Sequence, residues 1–178
     1  MKKLDMSFKK TTLGVCVLAA TLSSMTFADN TVQGNGAKVD GSDKAVALGD
    51  SVLIESDSNQ AVAIGSNAVI QKNSSLAIAI GAHSNADQAG AVALGAGSDT
   101  KTNATAASDI TVKDGNGNDI TISASNFAGN ENISAGDQVS VGSIKNERQI
   151  KNVAAGIMNK TSTDAVNGSQ LYEVVDNL

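Results

Sequence analysis

One phrase is spelled four times: AVALG at residues 45–49, AVAIG at 61–65, AIAIG at 77–81 and AVALG again at 91–95. The starts are sixteen, sixteen and fourteen residues apart. Self-similarity at a fixed short period constrains a chain more than any composition does, and it points to a solenoid of stacked rungs. Each phrase is a short apolar run closed by Gly, the pattern of a buried strand entering a turn. Behind each Gly comes a polar return, DSVLIESDSNQ, SNAVIQKNSS or AHSNADQAG. SVLIE and NAVIQ can each supply a second strand, so a rung is a flattened coil of two strands and two turns.

Strand alternation sorts the side chains into two faces. Val46 with Leu48, Val62 with Ile64, Ile78 with Ile80 and Val92 with Leu94 share one face; the alanines and the closing Gly share the other. The expectation is that the branched residues stack inside the coil. The flat alanine face is then left to another copy of the chain at close range. Gly49, Gly65, Gly81 and Gly95 are expected to take backbone angles or close approaches that a Cβ would forbid.

Composition supports a repeat over an ordinary globule. The 178 residues include no Trp or Pro and only 2% aromatics, against 17 Gly, so bulky core material is scarce. Lys2, Lys3, Lys9 and Lys10 precede the apolar run LGVCVLAATL and the small-residue stretch ending at Ala28. That is the layout of a secretory signal peptide over residues 1–28, and its apolar run is too short to span a bilayer. The remaining chain has no Cys and so no disulfide. Thirteen Lys and Arg less the four of the leader, against eighteen Asp and Glu less Asp5, leave a net charge of about −8. Such a surface repels nucleic acid and anionic lipid, so neither binding nucleic acid nor inserting directly into a membrane is expected of this segment.

Repeat rungs are expected over 29–98. Residues 99–137 break the period, and within them ITV and ITI flank a Gly/Asn turn, a β-hairpin signal. Asp114, Asn116, Asn118 and Asp119 offer oxygen ligands, but Asp119 and Ser125 stand where a calcium loop needs Gly and Glu, so a plain hairpin is the better reading. Phe127 is expected to pack this insert on the shaft. A neck follows over 138–170, beginning with a weaker strand phrase, VSVG. Ser162 or Thr163 can cap a helix with Asp164 in its first turn. Leu171, Val174 and Leu178 have coiled-coil spacing, placing the start of a stalk at 171–178.

The chain resembles the YadA-like trimeric autotransporter adhesins of Gram-negative bacteria in its AVAIG units and in two neck words in order, ERQIKNVAAG at 147–156 and TDAVNGSQL at 163–171. The neck positions that carry the match are Arg148, Gln149, Ile150, Asn152, Val153, Ala154 and Gly156, then Thr163, Asp164, Ala165, Val166, Asn167, Gln170 and Leu171. The linker IMNKTS between them is longer than the compact family form. The resemblance implies an all-β left-handed parallel β-roll head, a homotrimer, and a neck leading to an α-helical stalk. It also implies adhesion to host matrix, host cells or other bacteria. Joined to the family's β-barrel anchor the chain would sit at the cell surface in the outer membrane; without one it would be secreted or periplasmic. The family's collagen-binding pattern is met only in part: Gln60-Ala61 replaces its Asn-Ser and Ala68 its later Ser, whereas Ser84 and Ser98 match that later place and become candidates for a ligand surface. The alternative is a structural spacer without a receptor of its own.

No catalytic constellation, metal-ligand set or cofactor motif is visible, so the chain is not expected to be an enzyme. His83, the single histidine, lies in a polar return and is expected to be solvated. The hexapeptide-repeat acyltransferases are also solenoids, but their six-residue rhythm is absent here.

Overall fold

The computed structural model describes residues 30–177; the signal-peptide segment and Leu178 lie outside them. Short strands alternate along the chain between two parallel sheets. The first holds β1 (Thr31–Gln33), β3 (Val46–Leu48), β5 (Val62–Ile64), β7 (Ile78–Ile80), β9 (Val92–Leu94) and β12 (Val139–Ser140), hydrogen-bonded in that order. The second holds β2 (Lys38–Val39), β4 (Leu53–Ile54), β6 (Val69–Ile70) and β8 (Asn85–Ala86). The architecture is an all-β parallel solenoid of about four turns. Its register is that of the repeat: Val46 pairs with Val62, Val62 with Ile78 and Ile78 with Val92. The roll starts a rung before the first AVALG, because β1 pairs with β3 although TVQ carries none of the phrase.

Main-chain hydrogen bonds tie each rung to the next. Val46 N–H donates to the Ala61 carbonyl, Val62 to Ala77 and Ile78 to Ala91, each at 2.9 Å. The corner after each phrase is left-handed, with φ of 131°, 126°, 130° and 109° at Gly49, Gly65, Gly81 and Gly95. Gly65 shows why the corner needs glycine. A Cβ there would stand 2.6 Å from the Gly81 carbonyl carbon, which cannot withdraw without breaking the ladder.

The faces of the coil are the reverse of the sequence expectation. Ala45, Ala47, Ala61, Ala63, Ala77, Ala79, Ala91 and Ala93 are fully buried and line the interior. Val46, Leu48, Val62, Ile64, Ile78 and Val92 are only half-buried, and Ile80 and Leu94 are exposed. The branched row is therefore not the core of the roll. Alternation distinguishes two faces without saying which points inward. Here the alanines face the opposite wall, which in the first rungs supplies the bulk of the interior. That wall presents Val52 and Ile54, then Ala68 and Ile70, then Ser84 and Ala86, then Ser98 and Thr100, all at most 1% exposed. The interior thus becomes smaller and more polar from the first rungs to the last.

Serines close one corner of the coil. The Ser58 N–H donates to Ser42 Oγ at 2.9 Å, and the Ser74 N–H to Ser58 Oγ at 3.1 Å. The ladder stops at Ser74, whose buried Oγ has no hydrogen-bond partner among the described residues. The next repeat is two residues shorter and puts Gln88 in the place of the serine, while its Gly90 N–H donates to the Ser75 carbonyl as the Leu76 N–H does to the Asn59 carbonyl.

In the insert, β10 (Ile110–Lys113) and β11 (Asp119–Ile122) form an antiparallel hairpin, followed by a 3-10 turn at Ala124–Asn126. Phe127 is half-buried and lines a cavity with Lys160, Thr161 and Thr163, so it faces the neck loop where packing on the shaft was expected. The one α-helix among the described residues, α1 (Gly168–Asp176), is capped by Asn167, neither Ser162 nor Thr163. Asn167 Oδ1 accepts from the Gln170 N–H at 3.2 Å while Gln170 Oε1 accepts from the Asn167 N–H at 3.2 Å, a reciprocal capping box. The Ser162 hydroxyl is engaged elsewhere in the linker turn, where its Oγ accepts from the Asp164 N–H.

Candidate functional site

Two regions carry the side chains on which a function could rest: the outer face of the roll and the neck. On the roll, the branched pairs of β3, β5, β7 and β9 stack in register into one continuous outward ladder. A strand whose two faces are both apolar is normally covered on both. This chain covers only the alanine face.

Ser84 and Ser98 are not on that surface. Both are 0% exposed, with Ser84 Oγ donating to the Gly81 carbonyl and Ser98 Oγ to the Leu94 carbonyl, each at 2.8 Å. They are interior hydroxyls satisfying the main chain of their own corner, and as ligand-surface residues they are ruled out. The spacing that singled them out measures position along a rung, which is the same for an inward as for an outward residue.

In the neck, the structure folds the two sequence words onto each other. Gly156 passes so close to the second word that a Cβ would meet the Ala165 carbonyl oxygen at 2.5 Å. Gln170 clasps it there: Gln170 Oε1 accepts from the Gly156 N–H at 2.9 Å and Gln170 Nε2 donates to the Gly156 carbonyl at 2.7 Å. Asn167 Nδ2 donates to the Val153 carbonyl at 3.1 Å. The longer linker is accommodated as a side loop, with the Ile157 N–H donating to Asp164 Oδ2 at 3.0 Å. Val153, Gly156, Asp164, Asn167 and Gln170 are thereby brought together. Thr163 is apart from them, beside Gly129 of the insert. Gln149, Ile150, Asn152, Ala154, Val166 and Leu171 remain exposed and unassembled, and Ala165, also exposed, meets Gly156 through its carbonyl.

Arg148 does something different from its neighbours in the motif. It reaches back to the last rung of the roll, where its guanidinium donates to Ser98 Oγ at 2.8 Å, to the Val141 carbonyl at 2.6 Å and to the Ala96 carbonyl.

The hairpin tip is organised by its own acid. Asp114 Oδ1 accepts the N–H groups of Asn116 and Asn118, each at 2.8 Å, and Asp114 Oδ2 accepts Asn118 Nδ2 at 3.0 Å. The side-chain hydrogen bond from Asn118, and then the main-chain N–H groups, hold this carboxyl below its usual 3.8. Its oxygens are engaged within the turn. Among the described residues no group of three or more His, Cys, Asp and Glu could hold a metal ion, and no helix is long and apolar enough to cross a membrane.

Residues 149–178 match the family model of the coiled stalk of trimeric autotransporter adhesins. Among solved structures, the chain is similar to a C-terminal YadA-like domain from Burkholderia pseudomallei at 42% sequence identity, with a TM-score of 0.49. That similarity covers 61% of this chain and 46% of the other, so the chain spans under half the length of that structure. No curated protein matches the chain.

Proposed function

We propose that this chain, a YadA-like trimeric autotransporter adhesin segment by its stalk match, is the head and neck of a homotrimer that mediates adhesion without catalysis. In this reading three left-handed rolls stand side by side, exported by the leader at 1–28 and displayed at the cell surface. The observation that carries it is the outward ladder of Val46, Leu48, Val62, Ile64, Ile78, Ile80, Val92 and Leu94. A solenoid with an alanine interior has no room for that row inside, and two more copies of the same row are its natural cover. The family implies a homotrimer, and the capped helix α1 begins the stalk that would hold three chains in register. Host matrix, host cells or other bacteria are the targets, gripped by the polar returns facing away from the threefold axis, with three equal surfaces raising effective affinity.

Light scattering on the purified protein tests the assembly; a stable folded monomer rules it out. Immobilised matrix proteins and cells probed with the trimer test adhesion. A trimer that shows saturable binding to none of them is a spacer.

A further inference from the structure

The roll must end somewhere, and the edge of a parallel sheet presents unpaired N–H and C=O groups to any passing strand. At the C-terminal end this chain places its single arginine. The residues that receive it are built for a cation. Ser98 occupies the interior place that Val52 and Ala68 hold in earlier rungs, and it is fully buried. It is turned by its bond to the Leu94 carbonyl so that its oxygen can accept from Arg148. The carbonyls of Ala96 and Val141 complete a set of three acceptors, all neutral. Gly95 keeps the way open, since a Cβ there would stand 3.2 Å from the guanidinium. Among the described residues Arg148 forms no ion pair, so acceptor geometry, and no opposite charge, holds it. A planar fork with five donors can satisfy acceptors spread in this way, whereas an ammonium point charge cannot.

We propose that the C-terminal mouth of the roll is a guanidinium-binding socket, and that Arg148, occupying it, is the latch that fastens the neck to the head and closes the solenoid edge. Ser98, where earlier rungs carry Val52 and Ala68, is the buried hydroxyl that prepares that socket. The assignment concerns one chain and holds whether or not the trimer or the adhesive role does.

Amide exchange on the full chain tests it. The reporters are the Asp99 N–H, bonded to the Gly142 carbonyl, and the Asn146 N–H, bonded to the Ser143 carbonyl; Val62 and Ile78 serve as controls in the middle of the roll. Arg148→Ala should speed exchange of the reporters roughly tenfold or more, the effect of losing a charged hydrogen bond, and leave the controls unchanged. Low-millimolar ethylguanidinium should restore protection, and ethylammonium at the same concentration should not. Arg148→Lys, which keeps the charge, should behave like Arg148→Ala and keeps the test open if the alanine variant does not fold. Unchanged reporters in either variant overturn the latch. Faster exchange that both cations restore, or neither, overturns the socket.

Discussion

At the residue scale the molecule depends on what its small residues exclude. Gly65→Ala is expected to cost about 2–4 kcal/mol, because a left-handed φ and a carbonyl at 2.7 Å both oppose the new Cβ. Chemical denaturation would show the loss as a lower midpoint. Ala63→Leu forces bulk into a wall that is already closed and is expected to cost about 1–3 kcal/mol or more. Ile64→Ala, one residue away on the outer face, should leave a monomeric roll nearly as stable. Equal losses for the two changes would contradict the assignment of faces. Asp114, half-buried at the hairpin tip, gives a pH dependence. Its native value is depressed, so its contribution to the hairpin is complete above the ordinary 3.8 and is lost as pH falls through the lower native value. Asn116 and Asn118 amide resonances should follow that titration, and Asp114→Asn should abolish it.

At the scale of elements, the repeat was the most legible part of the sequence and its orientation the least. The spacing of AVALG located the strands of four rungs, and ITV and ITI located the hairpin. Polar TVQ hid the first rung, since β1 pairs through its main chain and needs no branched residue at the end of a sheet. Assigning bulk to the interior inverted the two faces. The corrective signal was present in SVLIE and NAVIQ, where Val52, Ile54 and Ile70 already supply one wall and leave room for alanine only on the other. The helix start was missed for a comparable reason. Thr163 and Asp164 resemble a cap, but the Asn167–Gln170 pair satisfies more donors and binds the preceding neck word as well. Asn167→Ala is therefore expected to cost about 1 kcal/mol of helix stability and to loosen Val153, which circular dichroism and exchange at the neck would report together.

For the whole molecule, the unmatched quantity is apolar surface on the outside of the roll. Replacing Ile64 and Ile80 by Asp should abolish trimer formation, with each buried Ile otherwise contributing about 1.5–3 kcal/mol. Light scattering would then give the monomer mass. A doubly substituted protein that remained trimeric would place the contact elsewhere. In the sequence the number three rests on the neck words alone; no residue pattern within one chain states how many chains surround it.

The alanine and serine interior also bears on how the protein responds to temperature. Heat-capacity change on unfolding follows newly exposed hydrocarbon, and polar exposure subtracts from it. A wall of methyl groups and hydroxyls releases little hydrocarbon, while the ladder of main-chain amides adds polar surface. The single roll should therefore fall well below the usual 12–15 cal/mol/K per residue. Its stability curve would be shallow and broad, changing little over a wide range of temperature.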